Sequence, residues 1–169
     1  TLPHDGWAMA EGDFGETYTA TFEAGTDLEF ARGTVRGTHE LESDEPEWLP
    51  VGGGNDEHPS PVDYMVSSLV FCQLSVLSQA LEKARVEEFH VSADAEVDEL
   101  GKDDVAEEMP ANTANRVQHV SIDIDLEVPE EDESRARRCL EVYDTGCIVG
   151  QSFKNGVDYT PSTSLTVTE

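Results

Sequence analysis

Between Ser60 and Arg85 the apolar residues Val62, Met65, Val66, Leu69, Val70, Leu74, Leu77, Ala80, Leu81 and Ala84 recur at intervals of three and four, which predicts one long helix. Ser60 stands where a cap belongs, Pro61 suits the first helical position, and Asp63 occupies the acid position of a capping box. From Leu69 to Leu77 almost every side of this helix is apolar, so its middle, including Cys72, is expected to be buried all round. Two stretches alternate with period two. Phe89, Val91, Ala93, Ala95 and Val97 oppose His90, Ser92, Asp94 and Glu96, and Ile122, Ile124 and Leu126 oppose Ser121, Asp123, Asp125 and Glu127. Both read as half-exposed strands of one sheet, joined by a long polar loop from Asp98 to Asn115 that contains Gly101 and Pro110.

Upstream, Tyr18 to Phe22 and Thr34 to Leu41 are short β-prone runs punctuated by Gly25 and Gly33, and a meander of two or three strands is expected there. Ser43 to Ser60, with Pro46, Pro50 and Pro59 around Gly52, Gly53 and Gly54, reads as surface loop. A phosphate cradle is disfavoured, because no Gly-Lys-Ser/Thr follows and five carboxylates crowd the stretch. Downstream, a second helix starts among Glu130 to Glu133, with cations at Arg135 to Arg138 and an apolar face of Ala136, Cys139, Leu140 and Tyr143. Gly146 interrupts it, Cys147 to Phe153 forms a further short helix that Gly156 ends, and Val157, Tyr159, Leu165 and Val167 mark a last strand. This order of elements describes an α+β protein of one domain over residues 1–169.

Charge changes the picture more than length does. The 169 residues carry a formal charge of −27. A surface of that sign repels nucleic acid and anionic membranes. Carboxylates occur in every segment, and 37% of residues are hydrophobic in regular periods, so a disordered acidic tail does not describe the chain. A halophilic protein does, because molar salt shrinks the screening length to roughly 3 Å and removes most of the repulsion. The largely apolar stretch Tyr64 to Leu77 is too short for a bilayer that needs about 20 residues, so a soluble protein is expected. Three cysteines, an odd number, argue against a disulfide framework. With no signal pattern in Thr1 to Gly15, they place the protein in a reducing cytoplasm.

The cysteines also carry the candidate chemistry. Cys72, on an apolar helix, reads taken alone as a small core hydrophobe. Cys147 stands at a helix start, where free N–H groups and the dipole stabilise a thiolate. Cys139 shares a face with Leu140 and Tyr143 and reads as core. His39 and His58 lack zinc-ligand spacing, so no metal is assigned, and the row Asp94, Glu96, Asp123, Asp125 and Glu127 reads as a solvated face.

The segment Ser60-Pro-Val-Asp-Tyr-Met-Val-Ser-Ser-Leu-Val-Phe-Cys72 resembles the proline-to-cysteine helix of OsmC/Ohr-like proteins. Cys147-Ile-Val-Gly-Gln-Ser-Phe153 is similar to their second-cysteine segment, and the Asp44 to Gly54 loop also has family counterparts. The resemblance covers nearly the whole element order. It implies an OsmC-like fold, with antiparallel or mixed sheets packed on a long central helix, in an intertwined homodimer. It further implies reduction of organic hydroperoxides without a cofactor: Cys72 attacks the peroxide, Cys147 resolves the sulfenic acid to a disulfide, and an external dithiol reduces it. In the better-characterised peroxidases a Glu follows the helix-opening Pro and an upstream Arg activates the thiolate. Here Val62 follows Pro61, which brings the sequence closer to the less-characterised OsmC-like branch. Asp63 is the nearest acid, and Arg32 and Arg36 are the only upstream cations. The alternative is a non-enzymatic member of the fold that binds a small apolar ligand or acts in stress response, with Cys72 merely buried.

Overall fold

The computed structural model describes residues 18–25, 29–47, 54–100 and 116–166, and the chain divides into two compact units, Thr1–Pro61 and Val62–Glu169. In the first, strands β1 (Ala20–Glu23), β2 (Ala31–Val35) and β3 (His39–Ser43) form an antiparallel meander in chain order. The run from Thr34 to Leu41, expected as one strand, is in fact a hairpin. Arg36 and Gly37 both adopt positive φ, 53° and 65°, the combination that turns a tight hairpin in the hand of the strand twist, and Val35 faces His39. Gly33 is required by β1, since a Cβ there would lie 2.1 Å from the Thr21 carbonyl oxygen.

Beyond β3, Asp44 gathers the loop around its carboxylate, which accepts N–H groups from Glu45 at 2.8 Å, Asn55 at 2.9 Å and Glu57 at 3.2 Å. The Glu57 amide is the main reason that this carboxyl sits below the usual carboxylate range. Pro50, Gly52 and Gly53 of the loop lie outside the described residues. His58 lies 3.4 Å from Glu42 and packs edge-on against Phe30.

The second unit begins with α1 (Pro61–Lys83), followed by the antiparallel pair β4 (His90–Leu100) and β5 (Arg116–Glu127). A 3-10 turn over Glu130–Asp132 leads into α2 (Glu133–Val142). Another over Tyr143–Gly146 precedes α3 (Ile148–Asn155). Both strands outrun their alternation, β4 past a register shift at Asp98/Glu99, so the long loop starts after Leu100; residues 101–115 lie outside the described residues. Register sets Val91 opposite Leu126, Ala93 opposite Ile124 and Val97 opposite Val120, keeping one face apolar. Both sheets are antiparallel.

α1 closes with a Schellman motif built on a residue that is not glycine. Arg85 adopts φ 61°, its N–H bonds the Glu82 carbonyl at 2.9 Å, and the Val86 N–H reaches back to the Leu81 carbonyl at 3.0 Å. Val86 is thereby folded onto Leu81, and the two join Leu77, Ala136 and Cys139 in the core, with Phe89, Ile124 and Leu126 packed around them. Cys139 is buried there, as its helical position predicts. Leu140, expected on the same face, is exposed.

The middle of α1 is not buried all round. Leu69, Gln73, Leu77 and Leu81, four apart, form a single buried stripe, while Phe71 is 71% exposed. Periodicity reports how apolar each side is, and the second unit covers only one of them. At 23 residues α1 is also long and apolar enough to cross a bilayer, so length does not exclude a span, although its stripe is packed inside the unit. Residues 156–166 form neither helix nor strand, and Val157, Tyr159 and Leu165 are exposed. A strand needs a partner edge, and no described strand pairs with this one; Val167 lies outside the described residues.

Candidate thiol site

Cys72 is half-buried in the middle of α1, and Cys147 is fully buried at the start of α3. Neither is in a disulfide, and across 75 residues of sequence the fold brings Cys72 near enough to Cys147 to help raise its thiol pKa. The 3-10 turn that Gly146 ends delivers Cys147 in an extended conformation, φ −78° and ψ 102°, as the residue capping α3. Its Sγ accepts the Gly150 N–H at 3.1 Å, which realises the helix-start setting read from the sequence. The net effect on acidity is opposite to the one expected. Burial, the adjoining Cys72 thiol and the Asp144 charge outweigh the Gly150 amide and push the Cys147 thiol above its ordinary value. Gly150 fits closely here, because an added Cβ would stand 3.0 Å from Gln73 Nε2 and 3.1 Å from Cys147 Sγ.

Three residues that sequence reasoning missed complete the neighbourhood. Gln73, beside Cys72 and buried, donates from Nε2 to Asp144 Oδ1 at 3.1 Å. Lys154 of α3 pairs with the other Asp144 oxygen, and these two bonds, the lysine's first, hold that carboxyl below the usual range. Burial and the Asp144 charge raise the neighbouring Tyr143 phenol. Gln73 Oε1 is enclosed and has no hydrogen-bond partner among the described residues. The signal for Gln73 was present in the sequence: it interrupts the stripe Leu69, Leu77, Leu81 with an amide, which is tolerated in a core only when something bonds it.

A cleft of about 690 Å³ opens beside the pair, with apolar walls from Leu69, Ile122 and Phe153 and polar groups from Gln73, Asp144 and Lys154. Neither cysteine lines this cleft, whereas Gln73 and Gly150, which neighbour Cys72 in sequence and Cys147 in space, both do.

The remaining candidates lie apart from the pair or in the other unit. Asp63 is exposed in the first turn of α1, roughly 13 Å along the helix axis from Cys72, so any influence on the thiol runs through a third group. Arg32 and Arg36 belong to the first unit. Arg32 pairs with Glu23 at 3.3 Å, and Arg36 turns the hairpin, bonds His39 at 3.2 Å and lies over the Tyr18 ring.

The family model for OsmC-like proteins matches residues 53–162, which include both cysteines. Solved structures resemble the chain over most of its length. An OsmC-like protein from Mycoplasma pneumoniae is 11% identical, with 85% of this chain and 91% of that one covered and a TM-score of 0.61. An organic hydroperoxide resistance protein from Elizabethkingia anophelis is 17% identical, with 86% and 93% covered and a TM-score of 0.59. An organic hydroperoxide resistance protein from Legionella pneumophila is 12% identical, with 86% and 95% covered and a TM-score of 0.58. No curated protein sequence matches. The matched segment spans well over half of the chain, both cysteine helices included, and the protein belongs to the OsmC-like family.

Proposed function

We propose that the protein reduces organic hydroperoxides with Cys72 as the attacking thiol and Cys147 as the resolving one. The observation that supports this is that the fold brings two reduced thiols, 75 residues apart in sequence, near enough for one to shift the other's ionisation. The Cys72 thiolate attacks the terminal peroxide oxygen, the O–O bond breaks, and the alkoxide takes a proton to leave as an alcohol. Cys72 is then a sulfenic acid. The Cys147 thiolate attacks its sulfur, hydroxide leaves and is protonated to water, and a disulfide remains. An external dithiol returns both thiols. Organic hydroperoxide resistance is what the Elizabethkingia and Legionella relatives are named for.

Titrating free thiols before and after one equivalent of cumene hydroperoxide tests this reading. Two thiols should be lost, with Cys72 and Cys147 joined in one peptide pair. No loss would favour the second reading, a ligand-binding member of the fold, which a cleft that neither cysteine lines supports.

Two further features belong to the proposal. A homodimer would cover Phe71 on the open side of α1 and the exposed Val157, Tyr159 and Leu165. A saline cytoplasm would screen the charge of −27. Dilution from 2 M to 0.1 M KCl lengthens the screening distance from about 2–3 Å to about 10 Å, so the thermal midpoint should fall. A midpoint unchanged between those salts would remove the halophilic reading.

A further inference from the structure

Asp144 ties together the two helices that carry the thiols. Its carboxylate takes the Gln73 amide from α1, one residue from Cys72, and the Lys154 ammonium from α3. Its backbone carbonyl takes the Cys147 N–H at 3.2 Å and the Gln151 side-chain amide at 3.1 Å. One residue thus binds the turn beside the attacking thiol, the main chain of the resolving cysteine, and two side chains of the helix that this cysteine caps. The Gln73 side chain is closely confined: a Cβ on Gly150 would stand 3.0 Å from its Nε2, and its Oε1 is enclosed with no partner among the described residues. An enclosed unpartnered oxygen costs free energy, so Asp144 is the bond that keeps this amide in place.

We propose that Asp144, acting through Gln73 and Lys154, is the positioning residue of the disulfide-forming step, holding the Cys147 sulfur against Cys72 so that a sulfenic acid is resolved at once. This rests on the hydroperoxide reading above. Attack on sulfur requires near-contact and alignment, and a displacement of about 1 Å can cost a hundredfold in rate. The chemistry of the first step, at Cys72 and the peroxide, does not use this network. Loss of Asp144 therefore separates the two steps.

The test mixes the full-length reduced protein with one equivalent of cumene hydroperoxide, with and without a sulfenic-acid trap, and follows both oxidised species by mass spectrometry. In Asp144→Ala, Cys72 should be oxidised at the wild-type rate while disulfide closure slows about tenfold and the trapped adduct grows. In Asp144→Asn, which can still accept from Gln73, the plateau rate of closure should fall less. Its pH profile should move to lower pH, because the charge opposing Cys147 ionisation is gone; a purely structural role would not move that profile. In the absence of oxidant, Cys147 of Asp144→Ala should react with iodoacetamide about tenfold faster than in wild type, since its burial depends on the same bonds. Lys154→Met, at a side chain largely in solvent, carries the same readouts should Asp144→Ala fail to fold. Closure and alkylation at wild-type rates in these variants would overturn the proposal. If wild type forms no Cys72–Cys147 disulfide, the hydroperoxide reading fails, and the alkylation rates of Cys147 alone decide the positioning role.

Discussion

Cys72→Ser is expected to abolish consumption of organic hydroperoxide, a loss of roughly three orders of magnitude or more, because a serine hydroxyl is not ionised at neutral pH and cannot replace the thiolate nucleophile. Cys147→Ser should behave differently. It should react once with one equivalent of peroxide, stop, and accumulate a sulfenic acid on Cys72 that a trap captures and excess peroxide carries to the sulfinic acid. The contrast follows from the roles proposed above and from burial: Cys72 is half-buried, whereas Cys147 is enclosed and raised in pKa by that burial and by the nearby Cys72. Cys139→Ser should consume peroxide like the wild type, because that thiol lies in the core with Leu77 and Ala136. Mass spectrometry of each variant after one equivalent of cumene hydroperoxide checks the assignment. A disulfide through Cys139, or adducts on Cys147 alone, would reverse the roles.

Leu77→Ala should cost the second unit about 3–5 kcal/mol, the range for removing a fully enclosed leucine and leaving a cavity. Leu77 is completely buried and belongs to the cluster that joins α1 to α2 and the β4–β5 pair. For a unit of this size the thermal midpoint should drop by about 10 °C or more, and denaturant unfolding should give the free energy directly. A cost below about 1 kcal/mol would mean that the α1 stripe is not packed as described. Phe71→Ala is the informative companion, since Phe71 is apolar, on the same helix and mostly exposed. In an isolated chain its loss should change stability by no more than about 0.5 kcal/mol. If the open side of α1 is covered by a second copy, the loss becomes larger and depends on protein concentration.

Period and punctuation were sufficient to locate α1, with its start at Pro61, the alternating strands β4 and β5, and the short helix between Cys147 and Gly156. These are local properties, determined by which residues repeat on one face and which cannot continue an element. Cys139 in the core was legible for the same reason. Errors arose where an element depends on what lies opposite it. Thr34 to Leu41 has strand composition throughout, and only the positive φ at Arg36 and Gly37 divides it into two strands; Arg36 thereby became a hairpin residue. The tail beyond Gly156 has a strand's alternation but no described partner strand. An apolar helix middle was expected to be enclosed, but burial is decided by neighbours, and α1 has them on one side only.

The same distinction holds in the site. Cys72 and Cys147 were identifiable as candidates from their helix positions and from the family likeness of the segments around them. Their proximity, the direction in which Cys147 is shifted, and the Gln73–Asp144–Lys154 network could not be read from the chain. Gln73 and Asp144 are 71 residues apart; the sequence shows that Gln73 interrupts an apolar stripe but not which residue bonds it, and Asp144 carries no such mark. A helix start lowers a thiol's pKa through nearby amides, whereas burial and a neighbouring carboxylate raise it. Which influence prevails depends on distances and solvent exclusion that exist only once the chain has folded.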